Sequence, residues 1–285
     1  MKTGTCITIL ISLLVAGCNR PDEKPAKKVV IKKIVERKKP AVAVSYHKEN
    51  GRKWLKQQTS ASVKQLIATI NRTDIQHLEN IDSIIIPNDF SADIAYYLPF
   101  PFEVPALQDV SKIIFFSYPT QSFGAYENGT LVYTGATNMG RKNDQTPTGI
   151  YYTNWKAAET TSTFNDEWTL KWNFNIENKL GIGWHEYEMP GYPSSHSCLR
   201  LQEKDARYLY TWADQWILNR DTVQVKGTPV VVFGYYDFKA PKPWLSLTGN
   251  THRLDIAVSE IEKLVAAALP LILNEQEKRL AQAAP

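Results

Sequence analysis

Sulfur is scarce in this chain. Its 285 residues hold three cysteines and three methionines, and Cys6 and Cys18 both sit near the start, leaving only Cys198 in the body. That distribution excludes a disulfide framework within the body of one chain. Long apolar runs are also missing. The stretch Ile7 to Val15 is apolar but too short for a stable membrane span. Charge of one sign is missing as well: the net charge is +4, and the excess is concentrated between Arg20 and Lys39. The remainder is close to neutral, so nucleic-acid binding has little support. What is present is 43% apolar and 11% aromatic residues, enough for a real core and incompatible with global disorder.

The first eighteen residues carry an address. Lys2 supplies a short positive start, the apolar stretch follows, and Leu14-Val15-Ala16-Gly17-Cys18 closes it. This run resembles the bacterial lipoprotein signal. The resemblance implies a signal peptide over 1–17, cleavage before Cys18 and a diacylglycerol on its thiol. The expected location is the cell envelope, as a periplasmic lipoprotein held in a membrane by that lipid. Asn19 is not the Asp that some bacteria use for inner-membrane retention, which favours the outer membrane. Residues 18–50, rich in Lys, Pro and Val, then read as a basic tether. In the exported part, Cys198 is the one free thiol.

Beyond the tether, 51–90 reads as helix, short helix and strand. Val63, Leu66, Ile67 and Ile70 share one helical face after a capping Ser62; Asp74 to Leu78 and then Ile81 to Ile86 follow. The order resembles a LysM module, whose first strand is expected around Lys53 to Gln58. Pro99, Pro101 and Pro105 mark a hinge or a rigid connection. Lys112 to Ser117, Ser122 to Tyr126 and Thr130 to Thr134 read as strands, with a tight turn at Asn128-Gly129. Ile150 to Tyr152, Trp168 to Phe174, Gly181 to Trp184 and Thr228 to Phe233 continue the pattern. A helix is expected over Gln202 to Leu218 and a long one over Leu254 to Leu280, kinked by Pro270. The fold class is therefore a mainly β domain over 106–238 with one flanking helix. A small α/β module precedes it and a helical extension over 250–282 follows.

The chemistry gathers around Cys198. A cysteine attacks as thiolate and needs a base beside it. His196 lies two residues before it, on the same side if the stretch is extended. His185 follows an apparent strand and could reach across from a neighbouring segment; either histidine can move the proton. A metal site built on His185, His196 and Cys198 lacks a fourth ligand at convincing spacing. His47, His77 and His252 read as surface residues.

Three ordered motifs make the pattern specific. Ser195-His196-Ser197-Cys198-Leu199-Arg200-Leu201 resembles the Ser-His-Gly-Cys-Ile/Val-Arg-Leu/Met signature of the YkuD-type L,D-transpeptidase domain. Thr146-Pro147-Thr148-Gly149-Ile150-Tyr151 is similar to that family's Thr-Pro-Thr-Gly run, and Gln121 to Thr134 to its opening hairpin. The likeness spans about Val110 to Phe233 and implies a β-sandwich or barrel. It further implies that Cys198 is the nucleophile, His185 the general base and acid, and that His196 lines the donor pocket. Arg200 would orient the turn or meet a substrate carboxylate, and backbone N–H groups near Ser197 and Cys198 would hold the oxyanion. Two positions depart from the family: Ser197 replaces Gly, and Glu186 replaces a small residue.

The implied reaction needs no cofactor and no metal. Its partners are peptidoglycan stem peptides and glycan, with the membrane reached through the lipid. Cys198 would be acylated by a stem tetrapeptide with release of D-Ala, and the acyl group passed to an amine of another stem, a 3–3 cross-link. Water as acceptor would make an L,D-carboxypeptidase; loss of catalysis would leave a wall-binding lipoprotein.

Overall fold

The structure, a computed structural model, describes residues 35–162 and 168–283. The expected signal peptide, Cys18 and most of the basic tether lie outside the described residues. Among the described residues no helix is long and apolar enough to cross a membrane.

The first unit is strand, two helices, strand. β1 (Tyr46–Glu49) leads into α1 (Gly51–Gln57), α2 (Ala61–Ile70) and β2 (Ile84–Pro87). β1 and β2 pair antiparallel, with Tyr46 opposite Pro87 and Glu49 opposite Ile84. Both helices begin on side-chain caps: Asn50 accepts from Lys53 N–H at 3.1 Å and Ser60 from Val63 N–H at 3.4 Å. Asn71, at the end of α2, donates to the Ile67 and Ile85 carbonyls and accepts from Ile85 N–H, so one amide clips helix to strand. The strand expected at Lys53 to Gln58 is thus helix, because Asn50 caps it, and the first strand lies earlier. Ser60, not Ser62, caps α2. The short helix expected at Asp74 to Leu78 is a turn followed by one 3-10 turn at Leu78–Asn80.

The proline-rich stretch is a rigid connection. Ile256 N–H donates to the Pro99 carbonyl, Tyr126 Oη to that of Pro101, and Val104 N–H to that of Gly129.

The main body then supplies β3 (Ile113–Ser117), β4 (Ser122–Glu127), β5 (Thr130–Ala136), β6 (Gly149–Tyr152), β7 (Lys156–Thr161), β8 (Thr169–Glu177), β9 (Ile182–Glu186) and β10 (Leu199–Leu201). α3 (Glu203–Trp212), β11 (Ile217–Asn219), β12 (Thr222–Val225), β13 (Pro229–Phe233), α4 (Val258–Val265) and α5 (Leu269–Ala283) complete it. One sheet has the order β5-β4-β3-β13-β6, the other β10-β9-β8-β7. The β4–β5 turn carries positive φ at both Asn128 and Gly129, as a two-residue hairpin loop requires.

β3 and β13 lie side by side, parallel, in the middle of the larger sheet. Their side chains alternate between two cores. Ile114, Phe116, Val230 and Val232 face the smaller sheet, where Phe174, Trp184, Leu199 and Leu201 wait. Ile113, Phe115, Val231 and Phe233 face the C-terminal helices and meet Ile261, Val265 and Ile272. Both faces are covered, which is why these strands read as unbroken apolar runs.

In the main body and the C-terminal helices the structure differs from expectation at three further places. The helix expected over 202–218 stops at Trp212, and its tail is the β11–β12 hairpin, turned by Arg220 at positive φ. The single long helix over 254–280 is two: the chain breaks after Val265 and restarts at Leu269, with Pro270 in the first turn where its missing N–H costs nothing. β9 runs through to Glu186, so His185 belongs to the strand and does not follow it.

Candidate active site

The short strand β10 decides the arrangement. It pairs parallel to β9, with Leu199 opposite Trp184 and Arg200 opposite His185. Its other edge is taken by the chain leaving β5: Asn138 and Arg200 exchange both backbone hydrogen bonds at 2.9 Å, and Arg141 N–H donates to the Ser195 carbonyl at 2.9 Å. The segment carrying Cys198 is therefore held from both sides, and it bridges the two sheets.

Cys198 occupies the last position of the turn before β10. Ser195 Oγ closes that turn by donating to the Cys198 carbonyl at 2.6 Å. Ser197 sits at φ 75°, the left-handed region that a glycine takes freely and a serine does not. Its hydroxyl offsets the strain by donating to the carbonyls of Asp144 and Gln145 at 3.1 and 3.3 Å. Thr146 completes the tie: its Oγ1 accepts from Gly140 N–H and donates to the Ser197 carbonyl, both at 2.9 Å. The Thr-Pro-Thr-Gly run is thus joined to the turn that carries Cys198 by its first hydroxyl, a role its spacing alone did not disclose.

A ranking of variants follows for Ser197. Glycine removes the strain and the hydroxyl together, so Ser197→Gly is expected within about 1 kcal/mol of the native chain. Ser197→Ala keeps the strain and loses the bonds, and should be the less stable of the two by about 1 kcal/mol. Urea denaturation of both checks this; an alanine variant as stable as the glycine one would contradict it.

One pocket collects the reactive groups. Its walls are Ser162, Trp168, Leu170, His185, Tyr187, Ser195, His196, Cys198 and Arg200. Ser197 points away from it, toward the 144–145 loop. Cys6 and Cys18 are outside the described residues, and Cys198 is the free cysteine among those described. No group of three or more His, Cys, Asp or Glu side chains among the described residues is arranged to hold a metal.

His185 is 4% exposed. Its Nδ1 lies 2.9 Å from the carbonyl of Glu186. A carbonyl only accepts, so Nδ1 carries the proton and Nε2 keeps its lone pair. The partner of the imidazole is backbone, so the Glu side chain at 186 leaves it unaltered. Burial pulls the His185 pKa down to about 4, partly opposed by that hydrogen bond. Burial also pushes the Cys198 thiol up, against a backbone hydrogen bond from Gly183 and the Arg200 charge. The resting pair is consequently neutral imidazole and thiol.

Arg200 is braced on three sides. Its Nη1 donates to Ser194 Oγ at 3.2 Å and approaches the Glu188 carbonyl at 3.4 Å, and its guanidinium lies 4.4 Å from the Tyr187 ring centre. His196 packs against Trp168, ring centres 5.2 Å apart, and burial lowers its pKa, with the Arg141 charge acting the same way. Tyr187 and Trp168 are walls that the motif did not mark. Tyr187 had a signal, since it stands two residues beyond His185 in extended chain. Trp184, by contrast, is wholly core.

Residues 111–232 match the YkuD family model, described as the L,D-transpeptidase catalytic domain. The chain contains a YkuD domain. Solved structures similar to it include an L,D-transpeptidase from Stackebrandtia nassauensis, 22% identical over 44% of this chain and 57% of that one, at a TM-score of 0.36. Another, from Mycobacterium smegmatis, is 16% identical over 44% of this chain and 59% of that one, at 0.35. A mutant L,D-transpeptidase from Enterococcus faecium is 19% identical over 43% and 50%, also at 0.35. The alignments thus span less than two thirds of these proteins. No curated protein matches the chain. The YkuD match begins just before β3 and ends in β13, so the strand-helix-helix-strand unit and α4–α5 lie outside it.

Proposed function

We propose that the YkuD domain is a peptidoglycan L,D-transpeptidase acting through Cys198. The observation that carries this reading is the parallel pairing of β10 on β9, with His185, Cys198 and Arg200 on one pocket. In the first half-reaction Cys198 Sγ attacks the amide carbon between the third stem residue and its terminal D-alanine, giving its proton to His185 Nε2. The backbone N–H groups of Ser197 and Cys198 take the developing oxyanion. The carbon–nitrogen bond then breaks, Nε2 returns the proton to the departing amine, and a thioester remains on Sγ. In the second, an amine of another stem loses its proton to Nε2, attacks the thioester and forms the 3–3 cross-link, and the thiol is restored. Arg200 meets the carboxylate of the donor, and His196 with Trp168 shapes the wall.

The chain would work in the cell envelope, held by a lipid on Cys18 and a basic tether. Its N-terminal unit, with the order of a LysM module, would bring glycan close and raise the local concentration of stems.

Purified protein and its Cys198→Ala variant, incubated with a disaccharide tetrapeptide and analysed by mass spectrometry, test the reading. Cross-linked dimers that vanish with Cys198 support it. Tripeptide alone shows that water is the acceptor, and sacculus binding without any product removes catalysis.

A further inference from the structure

We infer that Asp74, in the N-terminal unit, is a positioning residue for the donor pocket of the YkuD domain. This rests on the transpeptidase reading for its kinetic consequence, and on geometry alone for its structural one. The turn that ends α2 does not face solvent. It seats itself on the loop between β9 and the nucleophile turn. Asp74 Oδ2 accepts from Met189 N–H at 2.8 Å, and Asp74 N–H and Thr73 Oγ1 both donate to the Met189 carbonyl, at 3.1 and 2.7 Å. Met189 is thereby gripped at both backbone atoms, and its side chain is fully buried. The neighbouring Gly191 has φ 80°, and a Cβ there would stand 2.9 Å from Ile81 Cδ1, so the loop lies tight against the unit.

The grip is itself rigid. Asp74 Oδ1 accepts from His77 N–H at 2.9 Å, and His77 Nδ1 lies 2.8 Å from the same oxygen. A second tie holds the far side of β10: Gln202, the residue after that strand, donates from Nε2 to the Thr73 carbonyl at 2.8 Å, and Gln65 Nε2 donates to its Oε1 at 2.5 Å. The turn at 71–74 therefore clamps the chain on both sides of the nucleophile segment.

What the clamp governs is Arg200. The Glu188 carbonyl near its Nη1 belongs to the residue before Met189, and Ser194 Oγ closes the same loop. Fixing Met189 fixes Glu188, and Glu188 and Ser194 together aim the guanidinium across Tyr187 into the pocket. Asp74 touches neither Cys198 nor His185 in this arrangement. Its loss should disturb how the donor is held more than how the thiol reacts.

The test uses the full-length chain and its Asp74→Ala and Asp74→Asn variants. Asp74→Ala is expected to raise KM for the donor tetrapeptide about tenfold, with kcat and the rate of Cys198 alkylation by iodoacetamide within about twofold of the native chain. Asp74→Asn, which keeps one oxygen to accept from Met189, should recover most of the loss. Backbone amides of residues 188–194 should exchange with deuterium faster in the alanine variant. A folded Asp74→Ala protein with unchanged KM overturns the inference. So does a fall in kcat at constant KM, which is the mark of fewer folded molecules. If the native chain does not turn over the tetrapeptide, the transpeptidase reading fails instead, and the exchange measurement decides alone. Unchanged exchange over 188–194 then overturns the clamp, and faster exchange sustains it.

Discussion

Replacing His185 with glutamine is expected to slow acylation of Cys198 by about a thousandfold, the usual worth of a positioned general base. The neutral resting pair explains the size of the effect. The thiol is pushed up by burial, so in the proposed reaction the proton must leave during attack. In that reaction Nε2 is the acceptor, because the Glu186 carbonyl holds the other nitrogen protonated. Glutamine fills much of the imidazole's space but cannot take that proton. Single-turnover acylation followed by mass spectrometry gives the rate, and a loss below tenfold would point to another base.

The same residue predicts a pH signature. Folded His185 protonates near pH 4, whereas in the unfolded chain it does so near 6.5. As pH falls through that window the unfolded state gains a proton that the folded state refuses, so stability drops. The drop attributable to this group is at most roughly 3 kcal/mol. Above 6.5 it vanishes. His185→Gln should flatten this part of the stability profile, and the difference between the two urea-denaturation curves at pH 5 and pH 7.5 isolates it.

The second large effect belongs to Thr146. Valine at this position has nearly the same shape but cannot accept from Gly140 N–H or donate to the Ser197 carbonyl. Two backbone groups in a buried tie lose their partner, a cost of about 3 kcal/mol. For a chain of this size the melting temperature should fall by roughly 10 °C. The activity loss should exceed what stability explains. The turn that carries Cys198, already at positive φ through Ser197, loses its lower support, and under the proposed mechanism a displacement of about 1 Å there costs up to a hundredfold. Thr146→Ser, which keeps the hydroxyl, should restore most of both. Calorimetry and acylation rates measured well below the melting temperature separate the two losses.

Much of the larger sheet was legible in the residues. Asn128-Gly129 announced the β4–β5 hairpin, and Pro229 to Phe233 announced a strand buried on both faces. The motif around Cys198 brought its pocket neighbours His185, His196 and Arg200 to notice. What escaped has a common physical reason. β10 is three residues long, too short to show a period, and exists because β9 and Asn138 offer it two edges. β1 carries Tyr46-His47-Lys48-Glu49, whose polar character hides a strand formed by pairing with Ile84 to Pro87. Trp216 and Ile217 continue the helical spacing of Gln202 to Leu218, yet Ile217 to Asn219 form β11, and Arg220 at positive φ turns the chain back into β12. The Thr146 tie and the Asp74 clamp join residues 51 and 115 positions apart in the chain. Local patterning holds no trace of such pairs.

The place of β13 has a consequence for how the molecule comes into being. β3 needs β13 along one edge, in parallel register from Val230 opposite Ile114 to Phe233 opposite Ser117. A chain delivered N-terminus first must carry Ile113-Ile114-Phe115-Phe116 with one bare edge until Phe233 has emerged. Until then the central sheet cannot close, and β6, which pairs with the other edge of β13, has no place to go. Long-range parallel pairing of this kind slows folding, and the apolar β3 keeps an open edge while it waits. α4 and α5 then cover the outer face of that same strand pair, so their docking too waits on β13.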